Sequence, residues 1–465
     1  MSVDTVVTNG TLVSSSGTVD GGVAIADGTI VAVGDESHLP AAAETVDAGG
    51  RLVMPGIVDP HVHFDGPNPL FDGPRETYEA GSEAAALGGV TTVIDFAWQG
   101  ATRDGADGRR GTLRDGIAYQ KRTADESLID YGLHGTITRE DPDLFAELPA
   151  IVDDGVTSFK LFTTYDWGVS NGFMGSVFDR LSELDAVAIV HTEDESVCAQ
   201  RAAVLEEADR GDPTEYPASR PDYAEAMAAD DALCLAVEAG CKYYGLHTSS
   251  EKAAAVIERY RREFGEELVR GETCTHYVTL DRSRYAEIGT LAQMAPPLRS
   301  SADVDALFES LSRDDLDVVS TDHVAYRRDE KEADDWWDSP YGVNGLQHSL
   351  PVFFDEAVHR RGHSPSSVVR AMAARPARLF GLEEKGTLEP GTDADLVVFD
   401  PAAQYAISAE DNASEADYSI YEGRSVRGTV VHTMVRGEFV VRDGRVVGDP
   451  GYGEFVARTR PDWQR

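Results

Sequence analysis

Short apolar runs alternating with helix-length segments fill the centre of the chain and constrain its fold more than any other feature. The runs are Gly56-Ile-Val-Asp59, Thr91–Phe96, Tyr131–Ile137, Thr157–Phe162, Ala186–His191, Tyr243–His247 and Asp317–Thr321. Between them lie stretches rich in Ala, Glu, Leu and Arg, such as Tyr78–Leu87 and Lys252–Arg262. Strand–helix alternation over about 320 residues is the pattern of a parallel sheet, and seven or eight repeats predict a closed barrel. The expected class is therefore α/β, with a (β/α)8 TIM-like barrel over residues 56–384.

The two ends read differently. Residues 2–55 carry Thr5-Val-Val-Thr8, Gly10-Thr-Leu-Val13, Gly22-Val-Ala-Ile25, Thr29–Val33 and Arg51-Leu-Val-Met54, with Asn9-Gly10 and Asp27-Gly28 as hairpin signals. Residues 385–447 repeat the pattern with Asp395–Phe399, Gly428–Val435 and Arg442–Val447, turned at Arg436-Gly437 and Asp443-Gly444. One small β-sandwich module built from both termini, 1–55 with 385–447, is expected beside the barrel, leaving 448–465 as a C-terminal tail. The acidic stretches 205–230 and 326–345, which carry Pro and Trp, read as active-site loops.

Lys160 stands out within this frame. The chain has only six lysines, and four lie in stretches that read as polar surface or turn. Lys160 instead sits in Val156-Thr-Ser-Phe-Lys-Leu-Phe162, a buried-strand pattern in which a bare ammonium is costly unless paired or modified. Five other polar residues fall at the ends of strand-like runs: His61, His63, His191, His247 and Asp322. His61 and His63 in Asp59-Pro-His-Val-His63 share one face of a strand, because side chains alternate with period two. Catalytic groups of such barrels gather at the C-terminal ends of strands, the rule that all six candidates meet. If CO2 carbamylates Lys160 into an anionic oxygen ligand, the set supplies the ligands of a two-metal hydrolase.

Composition excludes other roles. A formal charge of −41 over 465 residues argues against nucleic acid or anionic membrane as partners. The acidity is spread along the chain, and Arg outnumbers Lys 35 to 6, which reads as surface adaptation to high salt. Cys198, Cys234, Cys241 and Cys274 form no metal-binding spacing and read as reduced thiols. No signal-length or membrane-spanning apolar run is evident, so a cytoplasmic protein is expected.

Beyond the six candidates, Val93-Ile-Asp-Phe96, His247-Thr-Ser-Ser250, Gly342-Val-Asn-Gly345 and Gly391-Thr-Asp-Ala-Asp395 complete a resemblance that runs from about Thr5 to Val447. The chain resembles the amidohydrolase superfamily, specifically its cyclic-amide hydrolases: hydantoinases and dihydropyrimidinases, with allantoinases and dihydroorotases nearby. The resemblance implies that His61, His63 and Asp322 hold one divalent ion, that His191 and His247 hold a second, and that carbamylated Lys160 bridges them. Zinc suits these donors first, with manganese or cobalt as alternatives. A hydroxide shared by two such ions is a strong nucleophile, with Asp322 as proton shuttle and Tyr165 with the metals stabilising the oxyanion. The resemblance also implies a homotetramer or homodimer.

Substrate choice follows from positions near those ligands. Tyr165, five residues after Lys160, matches the substrate-binding tyrosine of hydantoinases and dihydropyrimidinases. Asn344 matches a dihydropyrimidinase-like substrate loop, and Ala295 stands where relatives usually carry serine. Dihydroorotases place an arginine two residues after the second ligand histidine, where this chain has Asp65. Glu287–Leu291 and Gly345–His348 look more like allantoinase. The expected substrate is a neutral cyclic ureide or imide; the alternatives are allantoin, a dihydroorotase-like activity and, remotely, a non-catalytic scaffold. Among the other histidines, His134 and His276 read as packing or supporting groups, His323 as one that could orient Asp322, and His348 as open. Asp95 reads as structural.

A charge of −41 repels itself unless screened. Transfer from about 2 M KCl to about 0.1 M should lower the melting temperature and promote subunit dissociation. A melting temperature independent of salt would refute the high-salt reading.

Overall fold

The computed structural model describes residues 3–64, 76–100 and 111–464. From the N-terminus come β1 (Val3–Ser14), β2 (Gly17–Ala26), β3 (Thr29–Gly34), β4 (Ala42–Asp47) and β5 (Leu52–Pro55). The barrel strands follow: β6 (Ile57–Val62), β7 (Val90–Trp98), β8 (Asp130–Thr136), β9 (Ser158–Phe162), β10 (Val187–His191), β11 (Lys242–Gly245), β12 (Val269–Cys274) and β13 (Val318–Ser320). The chain ends with β14 (Leu396–Ala406), β15 (Ser425–Val435), β16 (Glu438–Arg442) and β17 (Arg445–Val446).

Strands β6 to β13 pair in sequence order, all in parallel, and an isolated parallel bridge between Val62 and His323 brings the last strand back beside the first. Helices such as Tyr78–Leu87, Leu144–Asp153, Asn171–Glu183 and Glu251–Phe264 cover the outside. Every residue of β6 to β10 is consequently buried, on both faces. Inside the barrel, Val58, Ile94, Val187, Tyr244 and Val318 pack with Leu379, Phe380 and Trp463, which plug the end where the strands begin. The opposite end is left free for the site.

The sequence pattern contains seven of these eight strands and misses β12. Val-Arg-Gly-Glu-Thr-Cys carries two charged residues, yet all six are buried. Arg270 is neutralised by Asp317 at 2.9 Å, and Glu272 is used by the site.

The nine terminal strands form one continuous hydrogen-bonded sheet, in which only β1 pairs in parallel, with β4 and β5. Its own core includes Val7, Val23, Ile25, Val53, Leu396 and Met434. Asp27-Gly28, Arg436-Gly437 and Asp443-Gly444 turn hairpins with positive φ, as expected. Asn9-Gly10 does not: it lies inside β1, where the register with β2 shifts between Val7 and Gly10. A Cβ at Gly10 would lie 2.6 Å from the Val53 side chain, so this glycine is needed for close strand approach and not for a turn. The expected loop at 205–230 is likewise shorter, because helices Glu195–Glu207 and Asp222–Ala239 take its two ends. The tail beyond 447 is pinned to the barrel through Tyr131, Leu133 and Ser158. All four cysteines are unpaired, and no helix among the described residues is long and apolar enough to cross a membrane.

Three of the six lysines are buried, one more than their sequence surroundings suggest: Lys160, Lys331 and Lys385. Lys385 Nζ lies 2.5 Å from Asp130 at the start of β8, 2.8 Å from Asp393 and 2.9 Å from Asp395. Arg436 also pairs with Asp130, so this cluster fastens the barrel to the terminal sheet. Burial opposes the Lys385 ammonium, but Asp395 and Asp393 hold its pKa above the ordinary value. Lys385→Met leaves Asp130, Asp393 and Asp395 without their common cation and should cost about 3–5 kcal/mol of unfolding free energy, read from denaturant unfolding. A loss below about 1 kcal/mol would show that Arg436 alone holds the junction.

Candidate active site

Five barrel strands deliver the six candidates to one place. His61 is the penultimate residue of β6 and His63 follows its end; Lys160 is the middle residue of β9, and His191 closes β10. His247 and Asp322 lie two residues beyond β11 and β13. Nε2 of His61 and Nε2 of His63 sit 3.0 and 3.2 Å from the same Oδ1 of Asp322. Nδ1 of His191 and Nε2 of His247 converge to 2.9 Å. The imidazoles thus gather in two pairs, linked by the His61 and His247 rings, whose centroids are 5.4 Å apart. Lys160 Nζ lies 4.1 Å from the Phe96 ring centroid and 5.0 Å from that of Phe162. It forms no salt bridge among the described residues.

The outward-facing ring nitrogens are held by carboxylates. His61 Nδ1 meets Glu272 Oε1 at 2.6 Å, and His191 Nε2 meets Glu193 Oε2 at 2.9 Å. Glu272 also accepts from the Tyr244 hydroxyl at 3.0 Å and the His247 amide at 3.1 Å. Neither glutamate is recognisable as a site residue from sequence patterns. The only signal for Glu272 is a carboxylate inside a strand-length run, and for Glu193 its spacing two residues after His191.

Electrostatics follow from burial. Desolvation holds His191 and His247 well below the ordinary histidine pKa and His63 down to about 3, so their lone pairs are available. His61 differs: burial pulls it down, but Asp322 and Glu272 outweigh this and raise it to about 9. Those carboxylates mark the point as one that favours positive charge. Burial lowers Lys160 to about 8, which leaves a fraction of free amine near neutral pH. The Asp322 carboxyl is desolvated, yet His61 and His63 hold it well below the usual carboxylate range.

A cleft of about 170 Å³, open to solvent, lies over these groups. Its floor is His63, Lys160, His191, His247 and Asp322, and its walls include Trp98, Phe162, Tyr165, Trp167, Ala295 and Tyr341. Tyr165 and Ala295 thus both line the cleft. The stretch 326–345 also reaches the cleft, through Tyr326, Tyr341 and Gly342. Gly342, at φ +132°, approaches Val324 so closely that a Cβ would lie 2.6 Å from it. Asn344 is not among the lining residues: its amide donates to the Tyr418 carbonyl at 2.5 Å and its Oδ1 accepts from Ile420 N at 3.2 Å, so its side chain is committed to 418–420. Asp65 lies outside the described residues.

The remaining polar residues are supports. His134 is held by Ser158 at 2.6 Å and the Pro60 carbonyl at 2.9 Å. His276 stacks edge-on against Tyr277. His323 bonds Glu76 at 2.6 Å and accepts from Gly345 N at 3.1 Å, anchoring the loop beyond Gly342. His348 faces Asn412, away from the cleft. Asp95 accepts from Tyr78 and Gln120 and is structural.

Residues 52–440 match the family model described as "Amidohydrolase family". The chain belongs to the amidohydrolase family. It is 34% identical to a D-hydantoinase of Geobacillus stearothermophilus over 98% of this chain and 96% of the relative. An allantoinase of Rubrobacter xylanophilus is also 34% identical, over 99% of each chain. The crystal structure of a dihydropyrimidinase from Brevibacillus agri superposes with a TM-score of 0.92 at 30% identity, covering 98% of this chain and 99% of that one. The protein is accordingly an enzyme, a cyclic amidohydrolase of the hydantoinase and dihydropyrimidinase group, and the family depends on metal.

The donor set fits a metal. His61, His63 and Asp322 each offer one ligand atom within 4.8 Å of one another, and His61 Nε2 is buried without a hydrogen bond. Glu272→Gln should weaken divalent-metal affinity about 10- to 100-fold while the fold persists, since carboxylates behind ligand histidines orient and polarise them. Metal titration followed by elemental analysis checks this, and an unchanged affinity would reduce Glu272 to packing.

Proposed function

We propose that the protein hydrolyses the cyclic amide bond of a neutral hydantoin- or dihydropyrimidine-type ring. The observation that carries this reading is Tyr165. Its ring lines the cleft 5.3 Å from the His191 centroid, on the floor side where a ring carbonyl must sit to be attacked. Among the described cleft-lining residues, Lys160 is the only lysine or arginine, which supports a neutral ring over one carrying a carboxylate.

Two divalent ions, zinc foremost with manganese or cobalt as alternatives, would supply an acidic water and a Lewis acid for the carbonyl. His61, His63 and Asp322 would hold one and His191 with His247 the other, with the Lys160 carbamate between them. Asp322 takes the proton of the attacking water and delivers it to the ring nitrogen as the C–N bond breaks. Tyr165 donates its hydroxyl to the carbonyl oxygen as negative charge develops there. Ala295 offers no hydroxyl, so ring recognition on that wall falls to backbone groups.

Allantoin is the second reading, because the allantoinase relative is as similar as the hydantoinase. The allantoinase-like stretches weigh little in this choice. Gln347 and His348 pack on residues 411–413, and none of 287–291 lines the cleft.

With hydantoin, dihydrouracil, allantoin and dihydroorotate assayed in high salt, neutral rings should outpace dihydroorotate by orders of magnitude; dihydroorotate as best substrate would overturn the assignment. Lys160→Ala should lose most bound metal and regain partial activity with a short added carboxylic acid. Full metal and wild-type turnover in that variant would exclude the bridging role. Asp322→Asn should lower kcat at least about a hundredfold. Near-wild-type kcat with full metal would mean another base operates.

A further inference from the structure

The ligand shell and the cleft wall meet at one residue that neither role has used, Arg220. It follows the helix Glu195–Glu207 and precedes Asp222–Ala239, and it is buried. One guanidinium nitrogen donates to Glu193 Oε2 at 2.5 Å, the same oxygen that meets Nε2 of His191. The guanidinium carbon lies 5.1 Å from the Tyr165 ring centroid and 4.9 Å from that of Tyr341. Its backbone is fixed as well: the Arg220 carbonyl accepts from Arg299 at 2.5 Å, and Arg299 is held by Glu225 at 3.2 Å and Ser249 at 3.1 Å.

A buried ion pair repays its desolvation poorly, so Glu193–Arg220 is weak evidence of a stability device. Its geometry is specific in another way. The guanidinium serves a carboxylate and two aromatic rings together, a combination open to arginine and not to lysine, whose ammonium is a compact point charge. Tyr165 needs such support, because its backbone sits at φ +68°, a conformation that persists only where its surroundings fix it. Glu195 holds the strained backbone through the Tyr165 amide at 2.8 Å, and among the described residues Arg220, Trp167, Tyr341 and neighbouring rings pack against the phenol.

We infer that Arg220 is a positioning residue that aims the Tyr165 hydroxyl at the reacting carbonyl and, through Glu193, keeps that aim in register with His191. This rests on the proposed role of Tyr165. It predicts that Arg220 and Tyr165 act as one unit: once the hydroxyl is gone, the aim of the ring ceases to matter.

A double-mutant cycle on the metal-loaded enzyme tests this, with hydantoin or dihydrouracil, whichever turns over faster. Arg220→Lys and Tyr165→Phe should each lower kcat about tenfold with KM changed less than about twofold. The double variant should be within about twofold of the slower single variant, and Arg220→Lys should retain wild-type metal content, because a lysine still reaches Glu193. Multiplying losses, or Arg220→Lys with unchanged kcat, would overturn the coupling while leaving Tyr165 in place. An unaffected kcat in Tyr165→Phe would instead sink the Tyr165 assignment itself. Should Arg220→Lys not fold, Arg220→Gln takes its place in the cycle, since its amide can still donate to Glu193 while the cation over the rings is lost; independent losses there overturn the proposal in the same way.

Discussion

The mouth of the barrel holds more buried lone pairs and carboxylates than its own cations can neutralise. Four imidazoles converge there with Asp322, while Asp59 and Glu272 lie buried directly behind them. The Asp59 carboxyl, pushed by burial to about 7 against its bonds from Thr321 and the His61 amide, shows how little favourable charge reaches it. The Lys160 ammonium faces the rings of Phe96 and Phe162 and forms no salt bridge among the described residues. Bound metal would resolve the imbalance from one side. A carbamate on Lys160, as proposed, would resolve it from the other, because a repulsive ammonium would become an anionic ligand.

Placing those ligands strains the backbone where the strands end. Tyr165, His247 and Asp322 all adopt positive φ, at +68°, +34° and +46°. Such conformations cost of order 1–3 kcal/mol each and persist only where surroundings over-determine them. The surroundings are specific. Glu195 takes the Tyr165 amide and the Thr164 hydroxyl, Glu272 takes the His247 amide, and the residue after Asp322 is gripped by Glu76 and by the His63 amide. In two of the three cases the clamping carboxylate is buried, Glu272 and Glu76, whereas Glu195 is exposed. Acidic residues in this chain therefore have an interior function distinct from their surface one.

That division explains what could be read from sequence. A ligand at the end of an apolar run is conspicuous, because a polar residue interrupts a buried pattern; His61, His191 and Lys160 are legible for that reason, and so is the barrel that displays them. The groups behind them are not. Glu272 lies in a strand that also contains Arg270, and its burial depends on partners from β6 and β11 that no local pattern encodes. Glu193 and Arg220 are 27 positions apart and look like ordinary surface charge. Asn344 shows the converse. Its motif is recognisable, but the side chain serves the 418–420 segment, a contact 74 residues away that only the fold reveals.

Lysine scarcity sharpens this kind of reading. On the proposed high-salt adaptation, surface lysines give way to acidic residues and arginine, whereas an interior lysine persists only if its position demands an amine. Three of the six lysines here are buried, each in a different chemical setting. Lys385 serves three carboxylates at the junction of barrel and sheet. Lys331 donates to the Gln293 and Pro340 carbonyls, each at 2.7 Å, two residues before Ala295 and Gly342 on the cleft wall. Burial, with no carboxylate to oppose it, drives the Lys331 pKa well below the ordinary value. Lys160 is the third; it lines the cleft, and among the described residues no carboxylate or carbonyl is bonded to its amine. Of the three, it is the one whose chemistry is left open for modification.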